Sequence, residues 1–338
     1  MNARSLLSLC AIVAAIAPAL AQQPYKAPRT EHGYPDLQGT WTNATITPLE
    51  RPTKYGERRA HTEQEWRELE HAELAAMAEA DKPTNPKHGI QDLPTDCGRG
   101  FTGVNCGYNA FWVDPGTKLI EINGEKRTSI IIDPPTGRIP PMVPTAQARI
   151  AERRARFRGA GPADGPETRS LGERCILSFG SSAGPPMLPL LYNNMYQIVQ
   201  TKGTVTILVE MVHDARVIRI GGQHLPKSIR KWMGDSVGRY EGDTLVVETV
   251  NFPEQQSFRG ASENLKVIER FTRIAPNKTL YRFTVEDPTT FAQPFTGEVA
   301  FNASPNNLYE YACHEGNYAL PGILAGAREA ERAAEAKK

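Results

Sequence analysis

The sequence predicts a mainly β fold, an antiparallel barrel or sandwich with flanking helices. Three observations predict it. Between Cys175 and about Cys313, short runs rich in Val, Ile, Thr and aromatic residues recur roughly every ten residues. Turn signals such as Lys202-Gly203, Gly221-Gly222 and Glu241-Gly242-Asp243 separate them. Neighbouring runs follow one another through these short turns, which favours an up-and-down meander, and closing that meander would remove its exposed edges.

Taken in order, the chain opens with Arg4, an apolar stretch from Leu6 to Ala17 and Ala19-Leu20-Ala21, the pattern of a secretory signal peptide over residues 1–21. The apolar stretch is too short to span a bilayer, and Leu9 before Cys10 argues against a lipid anchor. The expected location is therefore periplasmic or secreted. Removing Arg4 with that segment leaves 38 basic against 38 acidic residues, from 39 and 38 in the whole chain. This balance speaks against a nucleic-acid partner, and a small-molecule ligand or substrate is expected instead.

Residues 22–170 are read as an N-terminal extension packing on the barrel. Thr62 to Asp81 is its clearest helix, with a Thr62/Glu65 capping box and Lys82-Pro83 as its stop. Trp66, Leu69, Leu74 and Met77 mark its apolar stripe. Residues 83–110 form a long loop. Leu119–Asn123 and Arg127–Asp133 make a hairpin around Asn123-Gly124. A basic helix runs from Pro144 to about Phe157, and residues 159–170 are a Gly/Pro/Ala linker. The barrel core is assigned to residues 171–319, with Leu308–Ala312 as its last strand, and a C-terminal helix to residues 320–338.

Of the five cysteines, Cys97, Cys106, Cys175 and Cys313 lie outside the leader. An even count in an exported chain suggests two disulfides. Three pairings are open. Cys97–Cys106 with Cys175–Cys313 is favoured, the second tying the first barrel strand to the last. Four reduced thiols are the alternative. No Cys-x-x-Cys pair favours zinc, and the spacing of His213, His224 and His314 matches no metal pattern.

Three constellations carry candidate chemistry. Glu210, His213, Asp214 and Arg216 crowd onto an apolar run. A turn near His213-Asp214 would break strand parity and bring the two together, making His213 a general base oriented by Asp214. The structural alternative is an Asp214–Arg216 ion pair with His213 as a core residue. Tyr309, Tyr311, Cys313, His314 and Glu315 lie at the end of the last strand, where the His-Glu pair is read as acid and base at a barrel mouth or as metal ligands, against the alternative of a plain surface turn with a disulfide. Arg259, in the polar loop from Ser257 to Asn264, is placed to hold a carboxylate or oxyanion. In the next strand either Glu269 or Arg270 must face inward, as a ligand anchor or half of an internal ion pair. Glu210, Trp232, Glu269, Arg270 and Tyr309 are the expected ligand contacts. Nucleophile-elbow, zinc-helix, phosphate-loop and dinucleotide signatures are absent.

Two resemblances follow from motifs. The stretches Trp232 to Thr249 (WMGDSVGRYEGDTLVVET), Glu210 to Arg216 (EMVHDAR) and Tyr309 to Tyr318 (YEYACHEGNY) resemble an uncharacterised family of exported bacterial proteins, a likeness covering roughly Cys175 to Arg328. Gly39-Thr40-Trp41 with the meander resembles the lipocalin and calycin barrels, which implies a lipocalin-like barrel with the Trp packed across its floor. The expected function is an exported enzyme using cofactor-free acid–base chemistry, of lyase, isomerase or hydrolase type, on a small apolar or aromatic molecule. A lipocalin-like binding protein for a hydrophobic ligand is the alternative.

Overall fold

The computed structural model describes residues 25–82, 87, 113–156, 159, 161, 163–179, 181, 184–255, 258–316 and 318–337. The expected leader, the Cys97–Cys106 pair and Ser257 lie outside the described residues.

In chain order the elements are β1 (Gly39–Thr42), α1 (Glu63–Ala80), β2 (Glu121–Ile122), β3 (Glu125–Lys126), β4 (Ile131–Asp133) and α2 (Pro144–Arg156). Then come β5 (Met195–Gln200), β6 (Thr204–Val209), β7 (Ala215–Ile220), β8 (Asp235–Glu241), β9 (Thr244–Val250), β10 (Lys266–Ala275), β11 (Lys278–Glu286) and β12 (Phe295–Ala303), followed by α3 (Ala319–Glu335). Strands β5 to β12 and β1 close into a nine-strand barrel, and β4 adds to the outside of β12. Among the described residues the flanking helices are three. The predicted mainly β barrel with helices is what forms, with two differences.

First, β7 and β8 run parallel, Ile218 opposite Ser236, so the barrel is mixed. A parallel pair needs a long crossover rather than a hairpin, and residues 221–234 supply it. Asp235 anchors that crossover from the outer wall. Its buried carboxylate accepts Arg219 Nη1 at 2.9 Å, the Leu225 N–H at 3.0 Å and His224 Nδ1 at 3.0 Å. Burial pushes the Asp235 pKa up, but these hydrogen bonds outweigh it and hold the group well below the carboxylate range.

Second, Leu308–Ala312 forms no strand. The Tyr309 N–H donates to Glu210 Oε1 at 2.8 Å instead of to a ladder, and its ring is exposed. The closing position belongs to β1, with Trp41 opposite Ala303 on β12 and Tyr196 on β5. Trp41 is buried, its Nε1 donates to Leu37 O at 3.0 Å, and the Arg273 guanidinium lies 5.5 Å from its ring centre. The lipocalin-like resemblance therefore holds at the level of a closed barrel.

Alternation decides the interior. On β11, Thr279, Tyr281, Phe283 and Val285 are buried while their neighbours meet solvent to some degree. Tyr281 packs on Phe271 and Phe301 at ring separations of 4.9 and 5.2 Å, and Phe301 stacks on Tyr196 at 5.1 Å. Gly297 makes room for Phe283: a Cβ there would stand 2.3 Å from its ring. The barrel is filled by its strand side chains together with Leu177, Met187 and Leu188 from the segment before β5.

The outer helices follow their sequence signals at the ends but not always along their faces. α1 starts on the predicted capping box. Its one buried residue, however, is Glu70, not a member of the apolar stripe. Glu70 accepts Lys126 Nζ at 2.8 Å, Lys118 Nζ at 3.1 Å and the Leu119 N–H at 3.1 Å, while Leu74 is exposed. The helix docks through charge because the hairpin beneath it presents lysines. A hairpin turns at Asn123-Gly124 as expected, both at positive φ, but its arms are Glu121–Ile122 and Glu125–Lys126; Ile131–Asp133, expected in the second arm, pairs with β12 instead. α2 is held by Arg149, which donates to Thr290 Oγ1 at 2.7 Å.

Candidate functional site

Two polar groupings compete for a functional role, one inside the barrel and one at its mouth. Inside, Arg216 of β7 and Glu269 of β10 face each other, both fully buried. Arg216 Nη1 donates to Glu269 Oε1 at 2.9 Å, and Nη2 closes a second bond to Oε2. The Tyr281 hydroxyl donates to Glu269 Oε1 at 2.8 Å and accepts the Met187 N–H at 2.9 Å. Ser236 and Thr249 line the other side of the guanidinium. Burial opposes the Arg216 charge, yet Glu269 more than offsets it. The Tyr281 pKa is driven well up by burial and then by Glu269. Every partner here is satisfied from within, so the network has no free valence to offer a ligand.

Arg216 therefore pairs with Glu269, not with Asp214. Glu269 is the inward member of its pair. Arg270 faces outward, where its Nη1 meets Glu241 Oε2 at 2.8 Å. Trp232 lies exposed on the crossover and lines neither of the two cavities at the barrel mouth.

The mouth is built differently. Residues 171–190 bring Leu177, Met187 and Leu188 into the core. A disulfide between Cys175 and Cys313, with Cα atoms 5.6 Å apart, ties this segment to the chain after β12. Both cysteines sit in turns rather than in barrel strands. A cavity of about 1210 Å³ opens beside the bridge. Glu210, Tyr309, Tyr311 and Cys313 form one part of its wall, and Leu320 and Ile323 of α3 form another. Arg169 and Glu173, paired at 2.8 Å, add a charged section. Glu210 is buried, with Oε1 taken by the Tyr309 N–H.

Next to that wall, β6 passes into β7 through a short 3-10 turn over Met211–His213. Val212 and His213 both adopt positive φ, 63° and 45°. That conformation is costly for any side chain and most of all for a β-branched one. It breaks the strand parity as predicted, but it does not join His213 to Asp214 by a hydrogen bond. The His213 ring turns to Tyr311, with Nδ1 at 2.7 Å from the carbonyl oxygen. A carbonyl only accepts, so Nδ1 carries the proton and the lone pair of the neutral ring sits on Nε2. His213 is exposed. Asp214 is half-buried with Oδ2 unpartnered, and burial pushes its carboxyl up to about 6 against the opposing pull of His213.

The structure thus gathers Glu210, Tyr309, Tyr311 and Cys313 on one wall, with His213 and Asp214 immediately behind it. His314 and Glu315 are exposed beyond the bridge and line neither cavity. Arg259 lies on a neighbouring cavity. Sequence reasoning missed Arg169, Glu173 and the α3 face. The only available signal was the i, i+4 spacing of Arg169 and Glu173 and the i, i+3 spacing of Leu320 and Ile323, which says nothing of what they face. Among the described residues, no group of three or more His, Cys, Asp or Glu is placed to hold a metal ion, and no helix is long and apolar enough to cross a membrane.

Fold and site together define a closed, filled β-barrel whose open chemistry lies at its mouth. No family model matches the chain, and no curated protein or solved structure matches it either.

Proposed function

We propose that the protein is an exported enzyme carrying out acid–base chemistry on a small apolar or aromatic molecule held in the mouth cavity. The observation that carries this reading is His213: an exposed histidine on a strained turn, its Nδ1–H held by the carbonyl of Tyr311, a residue of the cavity wall, and its Nε2 left to accept a proton. Tyr309, Tyr311, Leu320 and Ile323 offer aromatic and aliphatic contact to the ligand. Glu210 supplies an acceptor within the cavity. Asp214, held partly protonated near neutrality, is the accompanying acid. Export is supported by the Cys175–Cys313 bridge, since disulfides persist in oxidising compartments.

A panel of small aromatic and aliphatic compounds, followed by mass spectrometry of the products, tests this. The wild type is expected to convert at least one compound. His213→Ala should bind that compound with unchanged Kd and convert it about a hundredfold more slowly. If every compound that binds is returned unaltered by the wild type, the protein is a carrier and the enzymatic reading falls.

A further inference from the structure

A second cavity, of about 910 Å³, lies beside the first. Gly172 and Phe179 belong to the walls of both. The Phe179 ring rests so close to the Gly172 backbone that a Cβ there would meet it at 2.6 Å, and a glycine is what lets the ring stand as a partition. Beyond it the wall is mainly aliphatic, with Leu49, Ile130, Leu171, Leu177, Leu188 and Leu190, while Thr45, Thr47, Ser170, Ser178, Ser181 and Gln255 add neutral polar groups. Of the described residues on this wall, two carry charge, Glu73 and Arg259. Glu73 has a partner of its own. Arg259 is exposed and donates to no described residue.

The turn that presents Arg259 is held firmly. Phe258 is buried and stacks on Phe295 at 6.5 Å, and the Ala261 N–H closes on Phe258 O at 2.9 Å. Arg149 of α2 donates to Gly260 O at 3.3 Å. Within this frame Arg259 itself adopts φ 52°, a left-handed conformation that an arginine does not choose for itself. A guanidinium presented from a held backbone, with no described partner, at the edge of a mainly apolar cavity is an anion anchor with an apolar pocket attached.

We infer that this second cavity binds an apolar monocarboxylate, its hydrocarbon body among the leucines and its carboxylate paired with Arg259. The volume lies within the range of about 300–1,000 Å³ common to small-molecule sites. The assignment goes beyond the chemistry proposed at His213 and does not depend on it.

Calorimetric titration of the full, disulfide-bonded protein with decanoate and with decanol, below their aggregation limits, tests the inference. Decanoate is expected to bind about tenfold tighter than decanol, the worth of one charge-assisted contact. Arg259→Gln should abolish that preference, Arg259→Lys should keep most of it, and His213→Ala should leave it untouched. Filling the cavity with Leu190→Trp should weaken both ligands. Equal affinities for acid and alcohol in the wild type, an acid preference that survives Arg259→Gln, or no binding of either ligand would each overturn it.

Discussion

Inside the barrel and at its mouth the chain uses the same residue types to opposite ends. Arg216, Glu269 and Tyr281 are fully buried and satisfy one another. Arg259 and Glu210 are set around cavities, and Asp214 nearby keeps a buried oxygen with no partner among the described residues. The interior therefore holds the barrel to one register, because a buried charge tolerates no loss of its partner. At the mouth, Asp214 Oδ2 and Arg259 have no partner among the described residues, and the backbone there is strained at Val212, His213 and Arg259. An ionisable residue on a barrel strand is thus no pointer to function by itself. What matters is whether its valences are spent.

The sharpest way to break this contrast is to unpair the interior. Glu269→Ala strands the Arg216 charge and should cost about 3–5 kcal/mol, read by urea denaturation. Replacing both, Arg216→Met with Glu269→Leu, should recover most of that loss. A small cost for Glu269→Ala would mean that water reaches the barrel centre and that the interior is not structural in the sense argued above.

Removing the bridge with Cys175→Ser and Cys313→Ser should cost about 2–4 kcal/mol. Hydrogen exchange at residues 309–312 should rise while the barrel amides stay protected. Uniform loss of protection would show that mouth and barrel unfold as one unit.

Asp214 separates the two regions by pH. Its carboxyl titrates near 6 in the fold, against about 3.9 in an unfolded chain. The folded state therefore binds the extra proton between those values. Its stabilising effect is complete below about pH 4 and is lost as pH rises through about 6. Asp214→Asn should remove that slope and gain about 1 kcal/mol above pH 6, a figure reduced because the side chain is only half-buried. An unchanged pH profile of the melting temperature would place the Asp214 carboxylate in water. Arg270→Ala, one residue from Glu269 but on the outer face, should change stability by less than about 0.5 kcal/mol. The pair of adjacent substitutions measures how much of the contrast is burial alone.

Much of the barrel was legible in the sequence, because strand period, turn residues and capping are local. β5 to β7 and β9 to β12, the Asn123-Gly124 hairpin and the Thr62 cap of α1 each follow from a few neighbouring residues. The sequence also narrowed the pair Glu269 and Arg270 to one inward charge, since the strand period is two. It did not say which of them it was, nor that Arg216 would meet it from a strand far away in sequence. β1 closing the barrel in place of Leu308–Ala312, and the parallel pairing of β7 with β8, depend on edges that meet only in three dimensions. So do the two cavities, whose walls combine residues near positions 46, 171, 210, 259, 311 and 323. Local propensity fixes what each segment becomes. The accessibility of a charge, and hence its use, is set by whichever distant side chains reach it first.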